Sequence, residues 1–208
     1  MPHQKSMGIV MVTEPHNALV QAVFNEDLEE VKARVAMRAK VNVRDKAFDG
    51  ITPLHAAVER GNIEIVKFLL AHGAKPNSRD YQKRTPLMMM DSDFTPELFS
   101  LLISYGAKVN LVDKEGNTIL HHSAGYDNPE LVRLLVANGL NFNAINKDGE
   151  TALIVAADNG AVENVKALLE GGADPNLKGR SAKSALDSSA NDSVRSLLDS
   201  YGALAKIQ

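Results

Sequence analysis

The sequence predicts an all-α protein built as a stack of helix–turn–helix units with a 33-residue period. Three columns of residues carry that prediction. Thr or Ser opens "TPLHAAV" at Thr52, "TPLMMMD" at Thr85, "TILHHSA" at Thr118, "TALIVAA" at Thr151 and "SALDSSA" at Ser184. Glycine recurs at Gly73, Gly106, Gly139 and Gly172, and asparagine at Asn77, Asn110, Asn143 and Asn176, every interval again 33. Self-similarity at one fixed period marks a repeat architecture, in which each unit buries its apolar face only against its neighbours.

In chain order, residues 1–16, "MPHQKSMGIVMVTEPH", form an N-terminal tail. Their apolar run near Ile9–Val12 is too short for a signal-peptide core or a membrane span. A repeat domain follows over 17–208, with units at about 17–48, 49–81, 82–114, 115–147, 148–180 and 181–208. The unit at 49–81 shows the logic of the rest. Thr52 offers a hydroxyl as an N-cap, and Pro53 suits the first helical position because it lacks only an orphan N–H. Leu54, Ala57 and Val58 have the spacing of one buried helical stripe. Ala57 and Ala156 are small where helices of adjacent units approach. Gly61 and Gly160 follow the first helix, where a positive φ is needed. Ile63, Val66, Phe68, Leu69 and Leu70 mark the second helix, which Gly73 ends; "AKPNSRDYQKR" is a turn-rich link.

The end units depart from this pattern. The first fits only with a 35-residue interval, its two extra residues falling in "DKAFDG". Its second helix is charged at Glu29, Glu30, Lys32 and Arg34, as a solvent-facing cap requires. The last unit is short and serine-rich, and reads as the opposite cap. In the third unit "MMM" replaces "HAA", Phe94 stands where the inter-helix glycine belongs, and Pro96 opens the second helix. Large residues in place of small ones predict a local change in stacking there and a weak point in stability.

"DGITPLHAAVERGNIEIVKFLLAHGAKPN" and "DGETALIVAADNGAVENVKALLEGGADPN" resemble the ankyrin repeat, whose pattern is D-G-x-T-P-L-H-x-A-A, a glycine, a second helix, then G-A-D-x-N. The resemblance covers about residues 17–203. It is specific for the fold and nearly silent on function. It implies an ankyrin-repeat solenoid with a concave groove lined by first helices and finger loops. It implies that His55 and His121 are structural, bonding between neighbouring units, while Glu59 points into the groove. It also places Asn77, Asn110, Asn143 and Asn176 at a position hydroxylated in some animal ankyrin repeats; a side chain satisfying loop backbone is the simpler reading.

Composition narrows the function classes. The formal net charge is −3, with 23 basic and 26 acidic residues interspersed, which argues against a general nucleic-acid binder with a basic face while leaving room for a local basic patch. There is no cysteine, hence no disulfide framework or thiolate chemistry. There is no G-x-S-x-G, H-E-x-x-H or phosphate-binding glycine loop. His121 and His122 are adjacent, about 100° apart on a helix, and so poorly placed to share one ion. No cofactor, metal or catalytic residue is therefore assigned. A metal-binding or enzymatic protein using His122 with Asp91, Asp93 or Asp158 is the rival reading, and a bacterial effector acting on a host protein is a second.

Specificity in a repeat protein lies at its variable positions. The outward positions of the first helices are Gln21, Phe24 and Asn25; Ala56, Glu59 and Arg60; Met89, Ser92 and Asp93; His122, Gly125 and Tyr126; and Val155, Asp158 and Asn159. Phe24, Met89, Tyr126 and Val155 are apolar or aromatic where solvent is expected, and Phe48 and Tyr81 are the aromatics of the finger loops. Aromatic and Arg side chains are the usual anchors of interfaces. The expected binding residues are Phe24, Phe48, Glu59, Arg60, Tyr81, Met89, Asp93, His122, Tyr126, Val155 and Asp158. The expected function is non-enzymatic: a cytoplasmic, monomeric module binding a protein partner as scaffold or inhibitor, without nucleic acid or membrane.

Overall fold

The computed structural model of the chain describes residues 17–90, 95–125, 128–180 and 182–202. The N-terminal tail expected at 1–16 lies outside them. So do Asp91, Ser92, Asp93, Phe94 and Tyr126. Among the described residues there are helices and no strand. They pair as α1 (Ala18–Phe24) with α2 (Leu28–Ala36), and α3 (Pro53–Glu59) with α4 (Ile63–Ala71). A 3-10 helix, Pro86–Met89, pairs with α5 (Pro96–Ser104). Next come α6 (Ile119–Ala124) with α7 (Pro129–Ala137), α8 (Ala152–Asp158) with α9 (Val162–Glu170), and finally α10 (Asp192–Ser200).

The local chemistry sets the boundaries. Asn62 accepts from Ile65 N–H at 3.1 Å, and Asn128 from Leu131 N–H at 3.0 Å, so each satisfies one orphan donor of a helix start. At α3 the third helical residue is His55, which does what Glu does in a capping box. Thr52 N–H donates to its Nδ1 at 3.1 Å. Nδ1 is therefore the acceptor and Nε2 carries the proton, which it donates to the Arg84 carbonyl of the next unit at 3.0 Å. His121 repeats the arrangement, with Thr118 N–H at 3.2 Å and the Glu150 carbonyl at 2.9 Å. Both imidazoles are buried and structural. Gly61 and Gly73 leave their helices at φ 63° and 84°, where a side chain would clash with its own backbone.

First helices stack on first helices, α1 on α3 and α6 on α8; second helices stack likewise, α7 on α9 and α9 on α10. One core runs through the stack, with Leu54, Leu69, Leu102, Leu135 and Leu168 almost wholly excluded from water. Each such leucine contributes roughly 1.5–3 kcal/mol of burial. Ile65 joins Val66, Leu69 and Leu70 in the buried face of α4, while Ile63 and Phe68 are half-buried.

Asparagines tie the outer loops together. Asn77 donates to the Gly106 carbonyl at 2.8 Å and accepts from Lys108 N–H at 2.8 Å. Asn42 does the same for Gly73 and Lys75 at 2.9 and 2.8 Å. These amides hold backbone, as the simpler reading has it. On α9, Asn164 is fully buried and its Nδ2 donates to the carbonyls of Ser123 and Ala124 at the end of α6, at 3.2 and 3.3 Å.

Three expectations need correction. Ala56 does not face outward: it is fully buried, because α3 is covered on that side by its neighbours. The first element of the third unit is a single 3-10 turn, ending at Met90 with extended φ and ψ of −68° and 126°. Met90 is buried where the other units carry Ala or Ser, and Met88 is buried in the column of His55 and His121. The last unit has no first helix, only a turn over 185–188. There Asp187 takes the His55 role, accepting from Ser184 N–H at 2.9 Å. The Ser189 hydroxyl donates to the Leu186 carbonyl at 2.8 Å, competing with continued helix.

Candidate partner-binding cleft

The finger loops are built from one repeated device. In each, an Asp or Asn side chain organises a tight turn: Asp80 accepts from Arg84 N–H at 2.7 Å, Asp113 from Asn117 N–H at 2.8 Å, and Asn146 from Glu150 N–H at 2.9 Å. Backbone bonds then join finger to finger. Tyr81 N–H donates to Asp49 O at 2.8 Å, Lys114 to Gln82 at 2.7 Å and Lys147 to Glu115 at 2.8 Å. The fingers thus form a bonded row, and they hold their side chains in fixed register along the concave face.

At the N-terminal end of that face lies a cleft of about 700 Å³. The first helices supply Gln21, Phe24, Asn25, Glu59 and Arg60; the 3-10 helix supplies Met89; the fingers supply Phe48, Asp49, Ile51 and Arg84. Phe24 and Phe48 pack with ring centroids 4.9 Å apart and planes tilted by 54°. The Arg60 guanidinium lies 5.4 Å from the Phe24 centroid, a cation–π placement. Glu59 and Arg60 are exposed, and among the described residues neither forms an ion pair. Arg84, by contrast, is committed: its Nε donates to buried Asp80 at 2.6 Å and its other end reaches Asp49 at 3.5 Å. The cleft therefore has an apolar floor, a fixed cation on one wall, and an unpaired acid and base on its rim.

Five of the expected binding residues meet here: Phe24, Phe48, Glu59, Arg60 and Met89. Both phenylalanines and Met89 are half-buried rather than free, since they also pack on the core. Tyr81 sits beside the cleft with 47% of its surface exposed. Its ring lies against Gly50, where a Cβ would come within 2.5 Å of Cδ1. The other described candidates do not line the cleft. Val155 is half-buried and Asp158 exposed on α8, two units further along. Asp49, Ile51 and Arg84 went unnoticed in the sequence; the signal for Arg84 was its place four residues after Asp80, where a turn brings the pair together.

Among the described residues His122 meets Asp113, an acid that the rival metal-binding reading did not name. Its Nε2 donates to Asp113 Oδ2 at 3.0 Å. Burial pulls its pKa below the ordinary 6.5, against the opposing pull of Asp113. Asp113 already accepts from Glu115 N–H and Asn117 N–H, each at 2.8 Å, so the pair fastens a finger to α6. Among the described residues no three His, Asp or Glu side chains converge in a group able to hold a metal. None of their helices is long and apolar enough to cross a membrane.

Paired helices at a 33-residue period, joined by bonded fingers, define a helical solenoid repeat protein. The family described as "Ankyrin repeats (3 copies)" matches residues 19–90 and 89–179, and the chain belongs to the ankyrin repeat family. Such repeats generally mediate protein–protein interaction and are typically non-enzymatic. The chain is 37% identical over 40% of its length to the human 2-5A-dependent ribonuclease, and 41% identical over 33% to mouse Rabankyrin-5. It is 42% identical over 30% of its length to Zygote-specific protein 3 of Chlamydomonas reinhardtii. These matches span 11%, 6% and 16% of the relatives' own lengths.

Proposed function

We propose that this chain is a non-enzymatic binding module that takes a protein partner on its concave face, acting as a scaffold or inhibitor in the cytoplasm. The observation that carries this reading is the cleft: aromatic, aliphatic and charged candidates from three different units converge on one preformed concavity. Phe24, Phe48 and Met89 form its apolar floor, Glu59 and Arg60 its polar rim, and Tyr81 its exposed neighbour at the fingers. His122, Val155 and Asp158 extend the same face toward the later units, with Asp93 and Tyr126 as further candidates outside the described residues. Helices and a bonded finger row hold the described groups in place, so binding orders little and loses little entropy. The repeat domain at 17–208 is proposed to act as one unit, as a monomer, without nucleic acid or membrane.

The test is a charge exchange on the rim. Partners of the full chain are identified by crosslinking in the native cell, and the leading one is purified. Its affinity is compared for the wild type and for Glu59→Arg, Arg60→Glu, Tyr81→Ala. All three side chains are exposed, so the helical circular dichroism is expected to be unchanged. Loss of ten-fold or more in affinity, about 1.4 kcal/mol, is expected. Unchanged affinity in a folded variant refutes the cleft as the binding surface.

A further inference from the structure

Bridges between units recur by column, so each junction can be compared with the others. On the second helices, Lys67 of α4 pairs with Glu97 of α5 at 3.4 Å, and Arg133 of α7 with Glu163 of α9 at 3.8 Å. At the same column α5 carries Ser100, which offers no cation to Glu130 of α7. On the first helices, His55 and His121 donate across to the next unit. At that column the 3-10 helix carries Met88, whose side chain has no N–H to give. On the outer loops, Asn42 and Asn77 each bridge twice, Asn143 accepts from Asp174 N–H at 3.0 Å, and Asn176 donates to the Gly202 carbonyl at 3.2 Å. Asn110 bridges to neither Gly139 nor Asn141 among the described residues.

Among the described residues the junction between the third and fourth units thus lacks all three bridges, whereas every other junction keeps at least one. A cavity of about 1010 Å³ opens at the place where the Asn110 bridge belongs, lined by Val109, Asn110, Leu111, Gly139, Leu140 and Asn141. Residue 140 breaks its column there. Ala74, Ala107 and Ala173 fill this column elsewhere, each nearly buried. Leu140 is buried too but longer, a side chain that in the hinge proposed below would hold its loop away from the preceding unit. On the opposite side of the same junction, the shortened 3-10 helix lies less close to α6 than it does to α3. The Lys114–Gln82 backbone bond, 2.7 Å, keeps the fingers joined.

We infer that the third–fourth junction is a hinge, at which the solenoid bends and separates into two cooperative blocks, α1–α5 and α6–α10. In a stack, stability is a sum of unit terms and nearest-neighbour terms, so the junction where all three recurring bridges are missing among the described residues is where motion and partial unfolding concentrate. One consequence rests on the proposed binding surface, although the hinge does not. The cleft lies wholly in the first block, while Val155 and Asp158 lie in the second. A partner touching both fixes the angle between blocks; a partner confined to the cleft leaves it free.

The chain has no cysteine, so introduced pairs can be spin-labelled singly in the full-length protein. Lys32, Ser100 and Lys166 occupy one exposed column of the second helices. Lys32→Cys with Ser100→Cys spans units one to three, and Ser100→Cys with Lys166→Cys spans three to five; each pair is about 20 Å apart, two helix spacings. A distance distribution roughly twofold broader for the second pair is expected from the weaker coupling. Adding Leu140→Ala should let Asn110 reach Gly139 and Asn141 and narrow it to the width of the first pair. Equal widths in the wild type overturn the hinge. A broad distribution that Leu140→Ala leaves broad overturns Leu140 as its cause. If Leu140→Ala proves unfolded by circular dichroism, Asn77→Ala is used with the first pair. Removing a bridge from an intact junction should broaden that distribution, and an unchanged width overturns the role of the asparagines.

Discussion

Mild acid is expected to loosen the stack through its buried imidazoles. His55 is the case that can be worked through. Burial lowers its pKa from 6.5 to about 4, outweighing the opposing effects of its bond to the Arg84 carbonyl and of nearby Asp80. The geometry agrees: Thr52 N–H points at Nδ1, so a proton added there would face another donor. The unfolded chain takes up this proton below about pH 6.5 and the folded chain only near pH 4, so between those values the unfolded state holds more protons. Stability is therefore full above pH 6.5 and is lost as the pH falls toward 4. From pH 7 to pH 5 the loss from His55 alone is about 2 kcal/mol, and by pH 4 about 3 kcal/mol. Burial lowers His121 and His122 too, which adds to the effect with the same sign. Urea unfolding followed by circular dichroism at pH 7, 6 and 5 measures it, with His55→Leu as the comparison. The wild type should lose stability faster than the variant. A midpoint that does not move between pH 7 and pH 5, or the same decline in both proteins, would refute the reasoning.

Other substitutions probe other contacts. Asn77→Ala removes two bonds across the second–third junction and should cost about 1–2 kcal/mol in urea unfolding. Asn164→Ala leaves the last carbonyls of α6 without a buried donor and should cost about 2–4 kcal/mol, visible as a lowered melting temperature. Gly149→Ala should destabilise by roughly 1–3 kcal/mol: the residue sits at φ 79°, and a Cβ there would stand 2.4 Å from Arg180 N in the next finger.

What the sequence made legible follows from what a period can encode. Thr52, His55, Gly73 and Asn77 repeat because every unit meets the same backbone geometry at those places, so their columns could be read as structure before any coordinates. The histidine reading depended on this: His55 and His121 were separable from His122 only because they share a column with Met88 and Ile154. The cleft was legible in part, because Phe24, Glu59, Arg60 and Met89 interrupt the pattern on one face of successive first helices. Its remaining lining was not, because Asp49, Ile51 and Arg84 reach it through finger turns whose geometry depends on cross-unit bonds. The partner of His122 was not legible for the same reason, since the Asp113 it meets precedes α6 in a finger, not on a helix face. Positions that break the columns proved the more informative. Leu140 in an alanine column, Met88 in a histidine column and Ser100 in a cation column are each unremarkable alone. They fall on one junction, and nearest-neighbour coupling turns three small omissions into a single weak interface.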